Sequence, residues 1–359
     1  MIDRYGFPRT KPCGGGLSIK ALKCLPWSAE PVLRHSVKEI RVGVRQNGES
    51  HFERIQGRDD LCAFAVRSEF DRFNFDMAVA ASVEFESGAR LSAIDSGPKD
   101  VRVILGRHEV TARFLVGADG ANSSVRRLIS AEAHFRRGFA IEGTVDCAHL
   151  DCKPVAELVF GYVRHGYAWS FPKRDHINVG IYACDDRTPL SKGQLREYVC
   201  TRFHTDALAN VVGFPLGFGG RQYDPNHERI ILAGDAAGLA EPLLGEGIYN
   251  ALKSGQAAAS AIAAFDRGMA RTLSGAYRKA LAPIRHDLGY CDELASLFYP
   301  HLAHGAFPAL AFLLRRGAIA RALSEGRTAA EMIKPWQIGC LRMFGRFWEM
   351  IDRARFVYG

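Results

Sequence analysis

Apolar positions along this chain change period from one stretch to the next. Short apolar runs stand at 101–106 (VRVILG), 113–118 (RFLVGA) and 229–234 (RIILAG), and each reads as a strand that ends on glycine or alanine. Alternating segments such as EIRVGVRQ at 39–46 and INVGIYA at 177–183 predict half-buried antiparallel strands. From 266 onward the pattern predicts helices. The expectation is an α/β fold with a Rossmann-like domain over 1–28, 57–130 and 226–265. It is interleaved with an antiparallel β-sheet domain over 29–56 and 131–225, and 266–359 forms a helical C-terminal region.

The stretch 229–255 carries the most chemistry. Its strand brings Asp235 to a carboxyl end, where an open α/β sheet presents its ligand crevice and an acid accepts from sugar or polyol hydroxyls. Pro242, Gly245 and Gly247 then open a helix. Glycine lets backbone N–H groups approach a ligand closely, and the helix directs its positive end at the same spot. Such a site suits an electron-rich ring that becomes anionic when reduced. GDAAGLAEPLLGEGIYNAL resembles the second FAD motif of flavoproteins built like para-hydroxybenzoate hydroxylase. The resemblance implies that Gly234 and Asp235 hold the ribityl chain, with Pro242, Gly245 and Gly247 at the pyrimidine edge of the flavin. Aromatic hydroxylases carry His directly after GDAA; Gly238 here is more similar to the geranylgeranyl reductase branch.

EVTARFLVGADGANSSVRRLI at 109–129 is a strand, an Asp119-Gly120 turn and a helix opened by Asn122, Ser123 and Ser124, residue types that cap free N–H groups. Arg126 and Arg127 stand one turn in, where they are placed to meet phosphate. The segment resembles the DG motif of the same flavoproteins, which contacts the FAD pyrophosphate and the nicotinamide cofactor. At the N-terminus, Asp3-Arg4 and the Cys13-Gly14-Gly15-Gly16 run resemble the geranylgeranyl reductase pattern, an acid/Arg pair at the end of the second strand followed by a CGGG loop. This implies adenosine-ribose binding at Asp3 and Arg4 and a loop at Gly14 and Gly15 beside the flat ring, with Cys13 as proton donor or as a buried structural thiol. A family member carries a strand–GxGxxG–helix unit of roughly 30 residues before that acid. Here Met1 stands two residues before it, and the expectation is that Met1 is an internal codon of a longer reading frame; the alternative is a chain that truly lacks the unit, in which case FAD binding is not expected to survive. Val66-Arg67-Ser68-Glu69-Phe70-Asp71 resembles the family's V-x-R-x-x-F-D segment, whose Arg lies near the cofactor; a surface Arg in a helix cap is the equal alternative.

Tyr167, Trp169 and Phe171 alternate and fall on one face of a strand, the pattern of an ordinary sheet core. GYAWSFPK also resembles the Y-x-W-x-F-P motif of geranylgeranyl reductases, which lines the tunnel above the flavin. A flat aromatic wall suits an isoprenoid chain, which offers apolar area and no hydrogen bonds. The family often has Pro before this motif, and Arg164 to Gly166 stand there instead.

Composition narrows the setting. With 359 residues, 47% hydrophobic and 24% charged, the chain is an ordinary globular protein long enough for two domains. Nine scattered cysteines point to a reducing, cytoplasmic compartment. Cys147, His149, Asp151 and Cys152 have no second ligand pair and alternate as a strand does, so metal is not expected. Neither a signal peptide nor a run of 18 apolar residues occurs. The net charge of +8 and pI near 9.1 admit nucleic acid, acidic ligands or an anionic lipid surface. No helix-turn-helix, zinc-finger or RNP pattern is present, which argues against nucleic acid. Phe307–Leu314 with Arg315, Arg316 and Arg321 reads either as a core helix with a basic edge or as a surface resting on lipid at the inner membrane. Residues 330–357 read as a further helix. Together the resemblances imply an FAD-dependent reductase of isoprenoid carbon–carbon double bonds, with NADPH as electron source. A monooxygenase of the same fold and a non-catalytic protein that binds prenyl lipid are the alternatives.

Overall fold

The computed structural model describes residues 1–301 apart from 47, 89 and 132, together with 317–339 and 342. The 307–316 segment and residues 343–357 of the last expected helix lie outside the described residues. Where that helix was expected to begin, the chain instead forms Ala329–Met332, leaves helical geometry at Ile333 and makes another helical turn over 335–339.

Leu115–Gly117 and Ile230–Leu232 pair in parallel, Leu115 opposite Ile230, and Ala233 N–H donates to Gly117 C=O at 2.9 Å. A second parallel pair joins Ile2–Asp3 to Glu86–Ser87. Helices Ile248–Asp266 and Leu273–His301 close over the first pair, so that Ile230, Leu232, Ala258, Ala261, Tyr277 and Leu281 share one core. VRVIL joins neither parallel pair. It is the middle strand, Val101–Leu105, of a separate antiparallel sheet with Leu91–Ser96 and His108–Ala112, burying Val101, Val103 and Leu105 and turning Ile104 outward.

The largest sheet has seven strands. Its order is Ala209–Phe218, Arg136–Asp146, His176–Ala183, Gly166–Pro172, Ala156–Phe160, Glu39–Gln46 and Glu49–Gln56. Every junction is antiparallel except Ala156–Phe160 with Glu39–Gln46. More than a hundred intervening residues link those two strands, so no hairpin fixes their direction. The Arg136–Asp146 strand stops at Asp146, and Cys147–His149 turn into a 3-10 helix rather than continuing the alternation. One face of the sheet packs on helix Lys192–Phe203 through Ile177, Val179, Ile181, Leu195 and Val199. The other carries Tyr167, Trp169, Tyr182 and Phe218 toward Ala240 and Tyr299. Trp169 pairs in register with Gly180, and a Cβ there would lie 2.1 Å from the indole, so only glycine lets the ring lie flat on its neighbour.

A further three-stranded sheet, Gly16–Ser18, Cys62–Ala65 and Leu33–Val37, carries the Cys13–Gly15 loop at its edge. Among the described residues, no helix is long and apolar enough to cross a membrane.

Candidate functional site

The two parallel strands set their acidic turns side by side. Asp119 accepts from Ser124 N–H at 2.6 Å, Val125 N–H at 3.2 Å and the Ser123 hydroxyl, so it caps helix Ser124–Leu128. Gly120 stands at φ +78°, a conformation side chains resist. Arg126 does not face a phosphate site. It is 1% exposed, its guanidinium stacks 3.3 Å from the Phe135 ring centroid, and it donates to Ala236 C=O at 2.8 Å and Ala121 C=O at 2.7 Å. It is a strut joining the DG helix to the GD turn. Arg127 stays at the surface and donates to Asn122 C=O and the Ser124 hydroxyl.

Gly234 N–H donates to Ser254 Oγ at 2.8 Å, which locks the GD turn to helix Ile248–Asp266. A Cβ on Gly247 would lie 3.1 Å from Asp235 Oδ1, so the carboxylate sits at the amino end of that helix. Burial holds the Asp235 carboxyl above its ordinary range against the opposing pull of Lys11, Arg67 and Arg126. Arg67 opens helix Arg67–Ala80 and grips Asp71 through two hydrogen bonds of 2.9 and 3.0 Å. Burial pulls Arg67 down, but Cys13 and Asp71 lift it further, leaving its guanidinium firmly charged. The Arg67 guanidinium, and after it burial, holds Lys11 below the usual lysine range. Lys11 is half-buried and makes no hydrogen bond or ion pair among the described residues. The Asp235 and Asp71 carboxylates offset part of this repulsion, and two neighbouring cations favour an anionic ligand between them.

The Cys13–Gly15 loop closes the opposite side. Gly15 takes φ +65°, its carbonyl accepts from Ala65 N–H at 2.9 Å, and its N–H donates to Cys13 Sγ at 3.4 Å. A Cβ on Gly14 would lie 2.8 Å from Phe171 Cδ2 and 3.0 Å from Trp169 Nε1, which places the loop directly against the aromatic wall. The Trp169 indole N–H donates to Asn178 Oδ1 at 2.8 Å. Three phenols hold three successive carbonyls of the next loop: Tyr182 on Pro242 at 2.8 Å, Tyr299 on Leu243 and Tyr167 on Leu244. Beneath them, buried Glu241 accepts from Leu243, Leu244 and Glu246 N–H, while Glu246 pairs with Lys20 at 2.7 Å.

Burial pushes the Glu241 carboxyl up from 4.5 to about 7. The folded protein therefore keeps a proton that the unfolded chain releases, and this contribution is present at low pH and lost as pH rises through that window. The 2.5-unit interval amounts to about 3 kcal/mol. Denaturant unfolding of the protein and of Glu241→Gln at about pH 5 and about pH 7.5 checks this. The parent is expected to lose more stability than the variant between the two conditions.

Cys13, Gly14, Gly15, Arg67, Asp235, Pro242, Gly245, Gly247, Tyr167, Trp169 and Phe171 thus come from distant segments into one connected neighbourhood. Asp119 and Gly120 join it through Arg126 and Ala236. Asp3 accepts from Tyr5 N–H at 2.9 Å and pairs with Arg9, and Arg4 is exposed; no hydrogen bond or ion pair ties either residue to this cluster among the described residues. Sequence reasoning missed Lys11, Glu142, Lys173, Asn178 and Glu241. Lys11 and Lys173 flank the CGGG and Y-x-W-x-F-P motifs closely enough to have been noticed. Glu142 gave no signal beyond being an acid within a strand.

No family model matches the chain. It is 28% identical to an uncharacterised protein of Methanosarcina barkeri over 84% of this chain and 78% of that one. A menaquinone reductase of Mycobacterium tuberculosis is 28% identical over 72% of this chain and 69% of its own length. A digeranylgeranylglycerophospholipid reductase of Methanothermobacter thermautotrophicus is 30% identical, but the match spans only 52% of this chain and 49% of that relative. Among solved structures, a geranylgeranyl bacteriochlorophyll reductase-like protein from Thermoplasma acidophilum shares the fold. Its TM-score is 0.74 at 19% identity, over 95% of this chain and 88% of the other.

Proposed function

From membership in the geranylgeranyl reductase family of flavin-dependent oxidoreductases, we propose that the chain binds FAD and reduces carbon–carbon double bonds in the prenyl part of a lipid-like substrate. The observation that carries this reading is the convergence of the GD turn, the Cys13–Gly15 loop and the Tyr167–Trp169–Phe171 wall, with Lys11 left beside Arg67 without an acceptor.

These residues fit the cofactor. Asp235 is the acceptor for a ribityl hydroxyl, Lys11 and Arg67 are the counter-charges for its phosphates, and Gly14, Gly15 and Gly247 leave room for close backbone approach. Bound and reduced, FAD supplies a hydride to one carbon of the alkene. The helix that opens at Gly247 favours negative charge at its amino end. The aromatic wall orients the prenyl chain and excludes water. Cys13 holds the proton at Sγ and gives it to the second carbon, and NADPH is the proposed electron source.

Anaerobic incubation of the reduced protein with a prenylated lipid tests the reading. Gain of two hydrogens per reduced bond supports it. Conversion that requires oxygen and adds an oxygen atom replaces it with a monooxygenase, and tight prenyl binding without conversion replaces it with a lipid-binding protein.

A further inference from the structure

Two ionisable side chains reach the Cys13–Gly15 loop from the seven-stranded sheet. Glu142 on Arg136–Asp146 accepts the Cys13 N–H at 2.7 Å. Lys173, one residue beyond Gly166–Pro172, donates to the Gly14 carbonyl at 2.8 Å. Lys173 is 6% exposed, and its ammonium lies 5.1 Å from the Phe64 ring centroid. Glu142 is half-buried. Both charges are costly in such surroundings, and apolar residues would serve a sheet core better. What both touch is the backbone on either side of one thiol.

We propose that Glu142 and Lys173 are opposed positioning residues for Cys13, fixing its loop from two sides and setting how readily Sγ parts with its proton. The inference rests on the reading of Cys13 as proton donor and extends it. Before transfer the sulfur must keep its proton, which a neighbouring carboxylate favours. After transfer the thiolate must be tolerated, which a neighbouring ammonium favours. Burial pulls Lys173 down to about 8, and burial holds Glu142 above the usual carboxylate range against the opposing pull of the Cys13 N–H, Asn178, Lys173 and Arg67. Asn178 connects the pair to the wall: its side chain favours the charged form of Glu142 and its Oδ1 accepts the Trp169 indole N–H.

The test uses the full chain and reads the thiol, not turnover. Iodoacetamide is added at about neutral pH, and alkylation of the Cys13 peptide is followed by mass spectrometry, with exposed Cys200 as internal reference. Glu142→Gln keeps an oxygen for the Cys13 N–H and removes the charge, so Cys13 should react roughly tenfold faster. Lys173→Met should slow it by a similar factor, and the double variant should return close to the parent. Loosening of the loop would accelerate both single variants, and that outcome, or no change in either, overturns the proposal. If Lys173→Met does not fold, Glu142→Gln decides by itself: acceleration at Cys13 without acceleration at Cys62, the neighbouring strand residue, supports it, and equal acceleration at both refutes it. Opposite effects in a protein that never reduces a prenyl lipid would leave this pair standing and remove the proposed reaction alone.

Discussion

Asp235→Ala is expected to weaken FAD binding by roughly 100-fold, about 3 kcal/mol, the scale of one or two hydrogen bonds to a charged group. The argument starts from what surrounds the carboxylate. Asp235 stands at the amino end of helix Ile248–Asp266, with Lys11, Arg67 and Arg126 as the cations acting on it. Removing it takes away a hydroxyl acceptor and leaves Lys11 next to Arg67 with less compensation. Quenching of flavin fluorescence during titration measures the change. A variant that binds FAD as tightly as the parent would remove Asp235 from the site.

Gly15→Ala should be among the most damaging single methyl groups in the chain, because it combines a backbone clash with a positive φ. The added Cβ would lie 2.1 Å from Ala65 C=O, and the backbone is at φ +65°. Clash and strain together are expected to cost about 2–4 kcal/mol or to expel the loop from its bed on the sheet. Denaturant midpoints give the cost. Gly6→Ala is the control, since no atom lies within 4 Å of its Cβ position. Gly14→Ala should fall between them, because its new methyl meets the Phe171 ring and the Trp169 indole rather than backbone.

Much of the fold could be read from local pattern. The α/β class, the antiparallel sheet interleaved along the chain and the helical character of the described residues after 266 all follow from hydrophobic period and glycine placement, and the structure has them. Direction was harder to read. Glu39–Gln46 runs parallel to Ala156–Phe160 because its neighbour arrives from far along the chain, and alternation carries no information about that. VRVIL and RFLVGA look alike as apolar runs yet belong to different sheets, since pairing partners are chosen in three dimensions.

The site divides the same way. Asp235, Gly247 and the aromatic triad declare themselves because turn chemistry and strand alternation are short-range. Arg126 misled for a related reason. Its position in the first turn of a helix suggests anion contact, whereas the deciding event is the approach of Phe135 and Ala236 from other segments, which turned it into a buried strut. Glu142 stands 129 residues from the thiol loop that it holds, and no spacing rule reaches that far.

The absorption spectrum of the purified protein tests the central claim most directly. It should be recorded on the 359-residue chain after incubation with FAD and desalting. The account predicts retained flavin absorbance, lost in Asp235→Ala. Colourless protein would contradict it, whatever prenyl lipid the chain still binds.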